Sequence, residues 1–409
     1  MTSSGFSVEA ARAAIPQLKV QVRGKGLVYL DNGATTLKPQ SVIERVSRYY
    51  LNENSNVHRG AHYLAEAGTY AYESARQIVA DFVGATTKEE IVFTRGTTES
   101  LNLVASALSD SGRLKGKQII VSEMEHHSNI VPWQLASSRS GAKLVAVRVD
   151  DRGEIDRGHL RELLGKPTAV VALTACSNVL GTIVPVKEIA VDVHAAGSLL
   201  VVDAAQSVTA ERVDVKSWDA DFVAFSGHKV FAPFGIGVLW AKKGLLEELP
   251  PYQGGGSMIH QVTFENTTWA DVPQKFEAGT PNVGGALGLG EAISWFQAQN
   301  ADLAMAHAKS LAEKARQELS AIEGVAVYGA PMKRTSIVAF NLNGVHASDV
   351  ATVLDQQGIA VRAGHMCCQP LMVRLGTKAI VRASFSIYNT AAEVESLLVG
   401  VRKAKEMLT

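Results

Sequence analysis

A chain of 409 residues is too long for one simple core and calls for two domains, or one large α/β domain with a satellite. Forty Lys and Arg balance forty Asp and Glu, which argues against a nucleic-acid or membrane-surface binder working through bulk charge and points to a small neutral substrate or a protein partner. Three cysteines cannot make a disulfide framework, and no apolar run reaches the roughly 20 residues of a membrane helix, so the expected compartment is reducing and cytoplasmic.

The start, MTSSGFSVEAARAAIPQL, reads as a short amphipathic helix stopped by Pro16, without the apolar core of a signal peptide. Between about residues 70 and 240 helical spacing alternates with short apolar runs. Ala71, Ala75, Ile78 and Phe82 lead into IVFT, then come LNLVASAL, QIIVS, AVVALTA, LLVVDAA and FVAFSG. This is the βαβ pattern of a mainly parallel sheet covered on both faces. PPYQGGGSM reads as a tight loop. From about residue 300 the order changes to a long helix through LAMAHAKSLAEKARQELSAI, a strand SIVAFNL, a helix SDVATVLDQQ ended by Gly358, strands IAVR and AIVRASFSI, and a last helix opened by a Thr390 and Glu393 capping box. That is a smaller α+β unit.

In open α/β sheets ligands gather at the carboxyl ends of the strands, so the residues just past each apolar run carry the interest. After IVFT stand Gly96, Thr97 and Thr98 at a helix start, an anion site in waiting, although such residues also cap helices without any ligand. His126 and His127 follow QIIVSEM and alone read as ordinary satisfied or solvent-facing histidines. Asp203 ends LLVV and, if buried, needs a cation nearby; Gln206 follows it. Ser226, His228 and Lys229 follow FVAF, and a desolvated lysine there is a good amine nucleophile. Together these supply a phosphate cradle, an aromatic ring, a carboxylate and a Schiff-base lysine, the set that pyridoxal 5'-phosphate needs.

LDNGATTLKP, NVHRGAH, RGTTESLNLVA, EHHSNIVPW, SNVLGT, VDAAQS, SGHK, FEAGTPNVGG, RAGHMCCQPLM and RASFSIYNT stand in an order that resembles class V aminotransferase-like enzymes of fold-type I. The chain is most similar to the group II (SufS/CsdA-like) cysteine desulfurases, over about residues 26 to 400. The resemblance implies an α/β fold: a large domain with a mainly parallel seven-stranded sheet (26–295), a smaller α+β domain carrying the cysteine loop (296–409), and an N-terminal segment (1–25) packing with the small domain.

By the same resemblance, Lys229 bonds the cofactor's aldehyde, His126 stacks on its ring, Asp203 pairs with the ring nitrogen and Gln206 with the phenolic oxygen. Thr97, Thr98, Ser226 and His228 are implied as phosphate ligands, with Thr280 reaching a neighbouring subunit's phosphate in a homodimer. Asn178 and Arg382 are implied as the clamp on the substrate carboxylate, with Arg362 and His58 elsewhere in the pocket. The implied reaction converts L-cysteine to L-alanine: Lys229 moves the Cα proton, His126 carries a proton, and Cys367 takes the sulfur as a persulfide for a sulfur-acceptor protein of the iron–sulfur assembly type. No metal is implied.

The chain also departs from the family pattern. GHMCCQPL stands for GHHCAQPL, so Met366 and Cys368 are unusual neighbours of the catalytic thiol. Ala232 and Phe234 in HKVFAPFGIG are expected to reshape the pocket entrance, and Cys176 in LTACSN lies beside Ser177 and Asn178. Two alternatives stay open. One keeps the scaffold but acts on selenocysteine or cysteine sulfinate. The other, more distant, is a zinc-dependent hydrolase built on His58, His62, His126 or His127, and HMCC.

Overall fold

The apolar runs that follow helical segments become the central strands of one sheet in the computed structural model, which describes residues 5–409. Seven strands take part among the described residues: β1 (Ile91–Thr94), β2 (Gln118–Ser122), β3 (Lys143–Val147), β4 (Thr168–Thr174), β5 (Leu199–Asp203), β6 (Phe222–Ser226) and β7 (Gly237–Ala241). Their order is β1-β7-β6-β5-β4-β2-β3. All neighbours run parallel except β7, which is antiparallel to both β1 and β6. Every residue of β4 is buried, which explains why its sequence is a continuous apolar run instead of an alternating one. Strands β3 and β7 are absent from the elements expected from sequence: β3 is a half-exposed edge, and β7 returns in the hairpin after the SGHK turn. Because β7 lies beside β6, residues 227–236 must turn back sharply at the carboxyl end of the sheet, and this turn carries His228 and Lys229.

The smaller unit has a four-stranded antiparallel sheet of β8 (Val325–Val327), β9 (Ile337–Leu342), β10 (Arg362–Gly364) and β11 (Ile380–Ser384), in the order β8-β9-β11-β10. Helices Ala301–Ser320, Ala347–Asp355 and Ala391–Leu408 pack with this sheet and one another around a separate apolar cluster. The last helix opens with the expected capping box, in which Thr390 and Glu393 satisfy each other's backbone N–H. The run expected as one strand, IAVR, divides: Ile359–Ala360 pairs in parallel with Val28–Tyr29, and Arg362–Gly364 joins β11.

The N-terminal helix Val8–Ala13 is capped by Ser7. Its Arg12 donates to the Tyr388 carbonyl (2.5 Å) and pairs with Glu393 (3.0 Å). Helix Val283–Ala298 runs through residue 295, the boundary expected between domains, and packs on helices Gln40–Arg48 and Tyr63–Val83. Met366, Cys368 and Leu371 from the small unit join the apolar cluster that lies beneath the large sheet. The cysteine loop is thus anchored in the core of the large unit, at about 1.5–3 kcal/mol for each large apolar side chain removed from water.

Candidate active site

The floor of the site is built from strand ends. Asp203 terminates β5 and is 3 % exposed; its Oδ1 accepts the Ala205 N–H at 2.9 Å. Burial pushes its carboxyl above the usual carboxylate range, and the charge of Lys229 opposes the shift. Lys229 is pushed in the opposite sense: desolvation lowers its amine, Asp203 restrains the fall, and Arg382 adds to it. The cation that a buried Asp203 demanded is therefore Lys229, acting through space and not as a contact ion pair. Gln206 donates its amide to the Gly33 carbonyl at 2.7 Å. On the facing side, burial holds the His126 ring down to about 4. The neutral ring accepts the Ser128 N–H at Nδ1 (3.1 Å), and Ser128 Oγ bonds Thr98 Oγ1 at 2.7 Å.

An anion cradle opens beside this floor. Helix Thr97–Asp110 starts at Gly96, and Ser226 Oγ takes the Thr97 N–H at 2.8 Å. A side chain at Gly237 would put its Cβ 2.4 Å from the Gly96 Cα, so glycine on β7 is what lets the loop sit down at the sheet edge. His228 contributes a buried Nδ1 with no partner among the described residues, a polar group that a ligand would satisfy. Its ring stacks on Phe234 with centroids 5.2 Å apart. The His228 carbonyl, one bond before Lys229, accepts from Thr36 N–H (3.1 Å), Thr35 Oγ1 (3.0 Å), Thr36 Oγ1 (3.2 Å) and Lys38 Nζ (3.0 Å).

The third wall comes from the small sheet. Arg362 and Arg382 are directly paired across β10 and β11, a like-charge arrangement that is unfavourable unless an anion sits between them. Asp31 is that anion, with Oδ1 3.1 Å from Arg382 Nη2 and Oδ2 2.7 Å from Arg362 Nη2. Arg382 also donates to the Asn178 carbonyl at 2.9 Å, and its buried Nε has no partner among the described residues.

Cys367 closes the site from above. Its side chain is exposed while Met366 and Cys368 on either side are buried. Both Met366 and Cys367 have φ 53°, a left-handed pair that costs about 1–3 kcal/mol per residue and needs outside support. Two braces supply it. His127 N–H donates to the Cys367 carbonyl (2.7 Å), and the His127 ring accepts the Gln369 N–H (3.3 Å). From the other side, Asn178 Nδ2 donates to the Met366 carbonyl at 2.8 Å.

These walls enclose a cavity of about 280 Å³ lined by, among others, Thr98, His126, Asp203, Lys229, Cys367 and Arg382. The chain matches the aminotransferase class-V family over residues 28–397. It is 46% identical over 403 residues to a probable cysteine desulfurase of Vibrio cholerae serotype O1, covering 98% of this chain and 100% of that protein. It superposes on the crystal structure of the cysteine desulfurase CsdA from Escherichia coli with a TM-score of 0.92 at 40% identity, covering 99% of this chain and all of the other. The apo cysteine desulfurase of Thermococcus onnurineus NA1 gives a TM-score of 0.93 at 40% identity, with 99% of this chain and 100% of the other covered.

The chain belongs to the cysteine desulfurases. Enzymes of this family and of class V aminotransferases use pyridoxal phosphate, and the desulfurase site suits such a group in three respects: a lysine amine that burial shifts toward its neutral form, a buried imidazole nitrogen without a partner among the described residues, and a helix N-terminus beside Ser226.

Twelve of the fourteen residues expected to act in the site line the cavity of the desulfurase: Thr97, Thr98, His126, Asn178, Asp203, Gln206, Ser226, His228, Lys229, Arg362, Cys367 and Arg382. Two of the expected site residues lie outside this cavity. His58 does not line it: its Nε2 is held by Glu73 at 3.1 Å. Thr280 lines a separate cavity of about 490 Å³ with Tyr72 and Glu277. Asn178, which lines the cavity, spends one Nδ2 hydrogen on the Met366 carbonyl and turns its Oδ1 to the Cys368 thiol at 3.0 Å, while its carbonyl holds Arg382.

The histidines of the zinc alternative do not form one site: His127 lies beside His365, with ring centroids 5.7 Å apart. His62 caps helix Tyr63–Val83 by accepting the Ala65 N–H, while His58 lies outside that helix, and no metal-binding cluster occurs among the described residues. Ala232 is fully buried and stays out of the entrance, whereas Phe234 lies there, 67% exposed. Cys176 lines the cavity and its thiol donates to Glu211 at 3.4 Å. Asp31, Lys38, Thr36 and Glu125 escaped the sequence reading. Asp31 alone carried a signal, as an acid directly after the apolar VYL.

Proposed function

We propose that Lys229, Asp203, Gln206, His126, Thr97, Thr98, Ser226 and His228 hold pyridoxal 5'-phosphate, and that Cys367 receives sulfur from L-cysteine. Bound in this cavity, the cofactor supplies an aldehyde for the substrate amine and a ring that takes up the electron pair left at Cα. The buried Asp203 carboxylate stabilises positive charge on that ring. Lys229, whose amine burial lowers from its ordinary range, takes the Cα proton and returns one. Arg382 directs its open Nε, and Arg362 its guanidinium, toward the substrate carboxylate, in competition with Asp31. His126, neutral at physiological pH with Nδ1 fixed by Ser128, keeps Nε2 free to carry a proton.

Cys367 Sγ then attacks the substrate sulfur. An S–S bond forms, the Cβ–S bond breaks with its electron pair left on carbon, and protonation of that carbon gives alanine. The persulfide stands on the only one of the three cysteines that is exposed, where a sulfur-acceptor protein reaches it. That observation carries the proposal: one thiol meets both the lysine cavity and solvent.

We further propose a cytoplasmic homodimer. Thr280 sits in a surface cavity apart from its own lysine, and exposed Phe234 and Leu135 border an open cavity of about 620 Å³ beside Thr98 and His228. Both features support a second subunit covering the phosphate end of the site. No helix of the described residues is long and apolar enough to cross a membrane.

The test is incubation of the purified yellow protein with L-cysteine without reductant, followed by intact mass, peptide mapping and alanine assay. One added sulfur on the Cys367 peptide with alanine released is the expected result, and Cys367→Ser keeps the cofactor spectrum while losing both products. A yellow wild type that makes neither sends the function to selenocysteine or cysteine sulfinate.

A further inference from the structure

Two cysteines stand side by side in the loop, and sulfur transfer to Cys367 uses only one. The Cys368 side chain is fully buried, and its Sγ lies 3.0 Å from Asn178 Oδ1. Asn178 Nδ2 lies 2.8 Å from the Met366 carbonyl. The carbonyl of Met366 can only accept, so the amide must turn its NH₂ toward it and its oxygen toward Cys368. A thiol facing an oxygen acceptor donates; a thiolate there would be repelled.

We propose that Cys368 is a positioning residue: its thiol donates to Asn178, fixes the direction of that amide, and so pins the strained Met366–Cys367 backbone that aims the catalytic thiol. The inference rests on the proposed desulfurase reaction and assigns Cys368 no sulfur of its own. Its protonated, buried state makes it a poor nucleophile, consistent with a thiol that burial pushes well above its ordinary range. Without the S–H donor, Asn178 Oδ1 is left unpaired in a buried place and the amide is free to rotate away from Met366. The second brace, from His127 to the Cys367 carbonyl, would remain. Arg382 would stay in place, because it is held by the backbone carbonyl of Asn178 and not by its side chain.

The experiment compares holoenzyme carrying Cys368→Ala or Cys368→Ser with wild type in single-turnover persulfide formation from L-cysteine, mapped by peptide mass, alongside alanine release from L-cysteine sulfinate, whose leaving group needs no thiol attack. Cys368→Ala is expected to slow Cys367 persulfidation by about three- to tenfold, the worth of one hydrogen bond, with the rate at saturating sulfinate unchanged. Cys368→Ser, which restores an O–H donor, is expected to return the rate to that of wild type. Sulfur is expected on Cys367 alone.

An unchanged rate in Cys368→Ala, no rescue by serine, an equal loss with sulfinate, or sulfur mapped to Cys368 would each overturn the proposal. Should the alanine variant fail to fold, Cys368→Val keeps the side-chain bulk without a donor and is expected to show the same split. A wild type that forms no persulfide would overturn the reaction, and the proposal with it. A wild type that forms it alongside an equally fast Cys368→Ala would overturn only the role of Cys368.

Discussion

Asp203 and Ser226 end strands that are paired on both sides, and Lys229 follows one of them by a single turn. Cys367 instead leaves β10, the edge strand of the smaller sheet, on a loop with two successive left-handed residues. Asp203 and Ser226 are placed by ladder hydrogen bonds and a dry core, and the turn to Lys229 is tied down by four hydrogen bonds to the His228 carbonyl from residues 35–38. The loop is positioned by a few side-chain bonds from residues far away in sequence, chiefly His127 and Asn178. The part of the site that must hold a cofactor still is built on the sheet. The thiol, which must meet substrate and then an outside acceptor, is built on a loop whose neighbours Met366 and Cys368 are buried in the core while Cys367 itself is exposed.

The largest effect that would sharpen this contrast is at the floor. Lys229→Ala is expected to lower desulfuration by about 10²–10⁴-fold, the range for losing a positioned acid–base group, while alkylation of Cys367 by a thiol reagent proceeds as in wild type. A parallel loss of thiol reactivity would mean that the two regions are not independent.

Asp31→Asn comes next. The amide would set an NH₂ against two guanidinium groups now bridged by a carboxylate, leaving Arg362 and Arg382 to repel each other across the strands. KM for L-cysteine is expected to change by roughly tenfold, the scale of a charge-assisted hydrogen bond, with little change in the cofactor spectrum. A spectrum altered as much as KM would break the division between floor and clamp.

Gly237→Val addresses the sheet itself. Its Cβ would fall within 2.4–2.9 Å of Gly96 backbone atoms, so a loss of about 1–3 kcal/mol in unfolding stability is expected, together with weaker cofactor retention measured by dialysis.

The mildest expected effect concerns Glu125, which is fully buried beside His126 and bonded to Ser122 and Asn129. Burial pushes its carboxyl from 4.5 up to about 8. A raised folded-state value means that the folded protein holds the extra proton, so stability falls as pH rises from about 4.5 through about 8 and levels off above. Glu125→Gln is expected to flatten that part of the curve in denaturant titrations at successive pH values, and an unchanged slope would assign it to other groups.

Much of the floor was legible because it obeys local rules. LLVVD and FVAFSGHK each announce a buried strand followed by a charged residue, and the periodicity around them gives a βαβ sheet whose ligands belong at the carboxyl ends. The Thr390 and Glu393 box marks its helix start without any knowledge of the fold. Family motifs added roles for residues that are silent alone, such as His126 and Arg382. The bonds that Asn178 makes to Met366 and Cys368 were not legible, since neither residue is near it in the chain.

The sequence by itself determined the sheet, the lysine at its strand end, the balance of charge and the pair of cysteines in one short loop. Only the tertiary structure decided which of those cysteines meets solvent and which is buried against Asn178, that Asp31 lies between two arginines, and that residues 35–38 hold the carbonyl before Lys229. Local patterns follow from backbone geometry and from which side chains leave water, and both can be read over a few residues. Each of the other contacts joins segments that meet only when the small unit packs on the large one, so no stretch of the chain contains the information to specify it.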